Sequence, residues 1–138
     1  MSHYIKLTEI TDEIILSFIS RGDNLERYFD KVSGAFNDFA YSNGVTSTSL
    51  IDVDADDGTL ENYTCREWCI AWVGYNVCKD NVGKVGREVD PSTDKYRLKA
   101  EDFKADLNEA AQKITYATIT GQEIQRSDLV SSAYLIRG

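Results

Sequence analysis

The chain has 138 residues, 42% hydrophobic and 28% charged, with a formal net charge of −8 at pH 7. That size suits one domain burying about two-thirds of its unfolded surface, and no apolar run approaches the roughly 20 residues that cross a bilayer. The acidic balance and the lack of a basic patch with interleaved aromatics exclude an electrostatic grip on DNA or RNA, which needs clustered Lys and Arg.

The opening MSHYIKLTEITDEI lacks the basic-then-apolar layout of a signal peptide, so synthesis in the cytosol is expected. Tyr4, Ile5 and Leu7 suit an extended lead-in. From Ile10 the apolar set Ile10, Ile14, Ile15, Phe18 and Ile19 follows helical spacing on one stripe. Ser20-Arg21-Gly22-Asp23 breaks it, with Asp23 or Asn24 available as the next N-cap. A second helix follows from Leu25, Tyr28, Phe29, Val32, Phe36, Phe39 and Ala40, with Asn43-Gly44 as its stop. Its aromatic stripe is expected to be core.

Gly44 to Asn62 reads as loop. Within it, Asp52-Val-Asp54-Ala-Asp56-Asp57-Gly58 approaches the alternating aspartates of a calcium loop. The glycine comes one place late, and the twelfth position is Tyr63 rather than a bidentate glutamate. The expectation is an acidic surface turn bent at Asp-Gly. Tyr63 to Val82 then forms an apolar helix, with Thr64 and Glu67 at capping-box spacing, Lys79 in the last turn and Gly83 to stop it. Cys65, Trp68, Cys69, Trp72, Tyr75 and Val82 fall on one face, while Ile70, Ala71, Val73, Val77 and Cys78 make much of the rest apolar. A helix apolar on more than one side is normally interior, so this one is expected at the centre.

Gly83 to Asp94 is a connector, in which Gly83-x-x-Gly86 is too sparse for a phosphate loop and Lys84 and Arg87 are the most basic spot outside helices. Pro91-Ser92-Thr93-Asp94 starts the last helix. Tyr96, Ala100, Phe103, Leu107, Ala110, Ala111, Ile114, Ala117 and Thr118 trace one face of a continuous helix of about 25 residues ended by Gly121. Its alanines would let it lie close to the central helix. The tail after Gly121 is too short for its own core yet holds Leu129, Val130, Tyr134, Leu135 and Ile136, expected to be a partner-binding element.

Catalytic chemistry finds little footing. His3 is the only histidine, so Ser-His-Asp, Cys-His and Cys/His metal arrangements have no credible centre. No carboxylate spacing singles out an acid/base pair, and glycine-rich cofactor loops are absent. The three cysteines, Cys65, Cys69 and Cys78, are expected to pack as buried free thiols. No catalytic residue, metal or cofactor is therefore assigned, and the chain is expected not to be an enzyme. The expected fold is all-α: a four-helix domain over residues 1–121 with a central apolar helix, then an interaction tail over residues 122–138.

This layout resembles the head-to-tail adaptor (connector or head-completion) proteins of tailed bacteriophages. The resemblance rests on Tyr4-Ile5-x-Leu7-Thr8-x-Ile10 before a short helix, and on Phe36-Asn-Asp-Phe39-Ala40-Tyr41 closing a longer one. A variable loop follows, then the Trp68 to Cys78 helix in the place of the family's apolar third helix. Tyr96 to Ile114, ending near Ile119-Thr120-Gly121, takes the place of its long last one. It covers residues 4–121; the Asp52–Gly58 loop and the tail depart from the family's compact layout. The resemblance implies a structural virion protein at the head–tail junction, assembled in the host cytoplasm. Its copies would form a ring, dodecameric in the family, between the portal protein and a neck or tail-completion protein. DNA would pass through the extended channel without specific binding, and no membrane would be involved. The competing reading is a small acidic helical binding or regulatory protein, Ca²⁺-responsive through Asp52, Asp54 and Asp56.

Overall fold

The structure, a computed structural model, describes residues 4–20, 25–81 and 95–122. Within them lie five α-helices: α1 (Glu13–Ser20), α2 (Glu26–Ser42), α3 (Tyr63–Asp80), α4 (Lys95–Lys113) and α5 (Tyr116–Thr120). Short 3-10 turns occupy Leu7–Glu9 and Thr48–Leu50. Extended pairing among the described residues is limited to one isolated antiparallel bridge, Val53 with Leu60. The domain is all-α, as its periodicities predict. The Gly22 connection, the 83–94 connector with its Pro91 cluster, and the tail lie outside the described residues. So do the side chains of Ile14, Phe18 and Ile19. The N-cap of α2 is Leu25, which makes no side-chain capping bond, in place of the expected Asp23 or Asn24.

Helix α3 is the centre. It packs against α4, α2, α1 and α5, and Cys65, Trp68, Cys69, Ala71, Val73, Gly74, Val77 and Cys78 are all buried. Its start differs from the expected capping box. Asn62, with extended backbone, accepts the Cys65 amide on its side chain at 3.1 Å, so the helix opens at Tyr63. Asparagine caps at least as well as threonine. Thr64 is thereby drawn inside the first turn, and Glu67 is left exposed on the surface. The helix closes at Asp80, where the Asn81 side chain donates to the Val77 carbonyl at 2.7 Å.

The aromatic stripe of α2 is core, as expected. Phe39 stacks on Trp68 with ring centroids 4.9 Å apart and planes at 19°, and Phe36 meets the same indole edge-on at 5.4 Å. Tyr4 adds an edge contact to Phe36 and donates its hydroxyl to Asn37 Oδ1 at 2.6 Å, which docks the lead-in on α2. At the start of α1, Asp12 Oδ1 accepts the Ile15 amide at 3.2 Å, so the helix begins at Glu13 while Ile10 and Ile15 are buried.

The last helix is not continuous. The expected run through Thr118 divides at Ile114 and Thr115, which makes five helices among the described residues rather than four. Thr115 is extended, and its Oγ1 accepts the Thr118 amide at 3.3 Å, while Thr118 Oγ1 accepts the Thr115 amide at 3.1 Å. Two threonines at this spacing offer the backbone a local alternative to the helical ladder, and a β-branched Ile114 just before them weakens that ladder. The break turns Ile114 and Ile119 both into the core. Gly121 ends α5 at φ +71, as the sequence predicts.

Residues between α2 and α3 form a strap across this end of the molecule. Val45, Ile51 and Leu60 are buried under it. The Asp52 amide donates to the Ile119 carbonyl at 2.9 Å and the Leu60 amide to the Tyr4 carbonyl at 2.9 Å, tying the loop to α5 and to the lead-in.

Candidate functional site

Leu129, Val130, Tyr134, Leu135 and Ile136, the tail residues expected to bind a partner, lie outside the described residues. Two features of the described surface carry chemistry: the aspartate turn and a cleft between α3 and α4.

The turn is closed largely on itself. Asp54 Oδ1 accepts the amides of Asp56 and Asp57 at 2.8 and 3.1 Å. Asp57 Oδ1 accepts the Thr59 amide at 3.0 Å and the Thr59 hydroxyl at 2.7 Å, while its other oxygen pairs with the Lys6 ammonium at 2.7 Å. The Lys6 bond, then the two from Thr59, hold the Asp57 carboxyl well below the usual carboxylate range. Asp52 turns away toward α5, its carboxylate so near Gly121 that a Cβ there would stand 2.6 Å from Oδ2. These carboxylates do not converge: among the described residues, no group of three His, Cys, Asp or Glu is placed to hold a metal ion. Calorimetric titration with Ca²⁺ is expected to give no heat at micromolar concentrations, and a saturable signal there would restore the cation-responsive reading.

The three thiols are free and buried, as expected. Burial pushes Cys65 and Cys78 up to about 12 from an ordinary 9.0, and Cys69 well above 9.0. None of them offers a thiolate at neutral pH. Because the folded chain holds these protons longer than the unfolded one, their support for the fold is full below pH 9 and is lost as pH rises towards 12. Urea midpoints are expected to fall as pH is raised from 9 towards 12, less steeply in Cys69→Ala. Equal slopes for the two proteins would show that Cys69 contributes nothing to the alkaline loss.

The cleft, of about 540 Å³, lies where α3 and α4 run together and the segment carrying Glu9 and Thr11 crosses them. Ala71, Phe103 and Ala110 are buried and make its apolar floor; Ile70 is half-buried at its side. Tyr63, 65% exposed, stands at one end. Four carboxylates line it, Glu9, Glu67, Asp106 and Glu109, against a single lysine, Lys113. Glu9 is engaged, with one oxygen on Arg66 Nε at 3.0 Å and the other accepting the Lys6 amide at 2.7 Å. Glu109 faces Lys113 at 3.3 Å on the same helix. Glu67 and Asp106 are exposed and make no ion pair among the described residues.

The tertiary pairing of α3 with α4 creates this site, and the carboxylates on each helix taken alone read as an ordinary solvated face. The one local hint is that Asp106, Glu109 and Lys113 recur at helical spacing beside the buried Phe103 and Ala110. Comparison with known proteins returns no match: no protein-family model, no curated protein and no solved structure is similar to the chain.

Proposed function

We propose that the chain is a structural virion protein: an adaptor whose copies form a ring between a portal and a neck or tail component and extend the DNA channel. The observation that supports this reading is the order of elements. A docked lead-in, a short helix, a longer aromatic helix and a variable loop precede a buried apolar helix and the long helix α4, with the short α5 stopped at Gly121 after it. Apart from the break between α4 and α5, that is the order that the adaptor resemblance implies. The acidic surface suits the role, since it repels phosphate and limits adhesion of passing DNA. The work of such a protein is done by its surfaces, and its inert thiols are consistent with that.

The tail would attach each copy to its neighbour or to the portal, burying Tyr134, Leu135 and Ile136 on binding. Deleting Asp128–Gly138 leaves α1 to α5 uncut, and is expected to abolish docking to portal rings while preserving cooperative unfolding. Retained docking would remove the tail from the proposal. Imaging the native particle tests the whole reading: a ring of this chain below the portal is expected, and its absence from purified virions would end it.

A further inference from the structure

The cleft between α3 and α4 pairs an apolar floor with an acidic rim, a combination that neither a solvated face nor a closed core requires. We infer that it is a docking groove for a Lys- or Arg-bearing extended segment of a partner protein. This inference is independent of the adaptor reading.

The floor comes first. Ala71, Phe103 and Ala110 face a space of about 540 Å³, and Ile70 stands beside them. From Phe103 to Lys113 the groove follows α4 for roughly 15 Å, the length of about four or five extended residues. That is longer than a simple amine fills, and suits a chain segment with side chains alternating between floor and rim. Charge then selects the occupant. Glu67 and Asp106 stand at the rim with no ion pair among the described residues, and Lys113 is already beside Glu109. Lysine and arginine lay an aliphatic stem on an apolar surface and place the charge at its edge. The Tyr63 ring is not part of this attraction, since the chain's own Arg66 guanidinium already lies over it at 5.7 Å. A nucleic acid or an anionic lipid surface would meet repulsion here.

The test uses the full chain and a fluorescent hexapeptide of alternating lysine and leucine, at low and physiological salt. The peptide is expected to bind, and Glu67→Gln/Asp106→Asn to weaken it about five-fold, as two exposed charge contacts would. Asp38→Asn/Asp56→Asn removes two exposed charges elsewhere and is expected to leave binding unchanged. Ile70→Ala keeps every charge and is expected to weaken binding about three-fold by shrinking the apolar contact. Equal weakening by the two charge variants would show a general attraction to an acidic protein and overturn the groove. No effect of Ile70→Ala, spermidine competing as well as the peptide, or no binding at all would each overturn it too.

Discussion

Replacing Gly74 with valine is expected to destabilise the fold by about 3 kcal/mol, the upper part of the usual range for overpacking a filled core. Gly74 lies on α3 against Phe103 of α4. A Cβ added there would stand 2.6 Å from Phe103 Cε1 and Cζ and 2.7 Å from Cδ1. Phe103 is itself buried, so relief requires its ring to leave its packed position toward the cleft that it lines, or the two helices to part. Intrinsic propensity predicts the opposite sign, since glycine inside a helix costs about 1 kcal/mol relative to alanine. The contrast is sharp at Gly34 on α2, where nothing lies within 4 Å of an added Cβ. Gly34→Ala is expected to stabilise by about 0.5–1 kcal/mol. Shrinking the opposing ring with Phe103→Leu in the Gly74→Val background is expected to recover at least about 1 kcal/mol, a coupling of the size seen for residues in contact. Urea unfolding of the four proteins measures this. Additive effects at Gly74 and Phe103 would mean that the helices do not meet there.

Trp68→Ala is the second large effect, with an expected loss of about 3–5 kcal/mol. The indole is only 6% exposed and joins two elements, stacking on Phe39 and taking the edge of Phe36 from α2. Truncation therefore empties a space lined by aromatic rings that cannot all collapse into it. Trp68→Phe keeps a ring in that space and is expected to cost about half as much. Trp72, which is only partly buried, remains as the fluorescence reporter in both variants. A loss below about 1 kcal/mol for Trp68→Ala would show that α2 is held to α3 by other contacts.

The two substitutions also divide what was legible from what was not. Trp68 and the Phe36 and Phe39 stripe stand out from spacing alone, because burial of an amphipathic face writes its period into the chain. The importance of Gly74 does not, because a glycine amid apolar residues looks like a weak point in a helix until the partner ring is in place. The same division separates the caps. Gly121 announces its left-handed turn, whereas the choice of Asn62 over Thr64 at the head of α3 depends on where the strap delivers the chain. The Thr115 break also escapes a periodicity argument, since Ile114, Ala117 and Thr118 continue the apolar phase across it. Capping hydrogen bonds between two threonines outweigh that continuity and turn Ile119 inward.

The sequence by itself determined that this is an all-α domain built around an apolar third helix with protonated, buried cysteines. Those features follow from local periodicity and from the cost of leaving such a helix in water. Tertiary structure alone decided which carboxylates share a cleft, how near α4 comes to α3, and that Asp52 turns to Gly121 at the end of α5. Each of these is a relation between residues far apart in the chain, set by which helix faces pack together, and no local pattern encodes it.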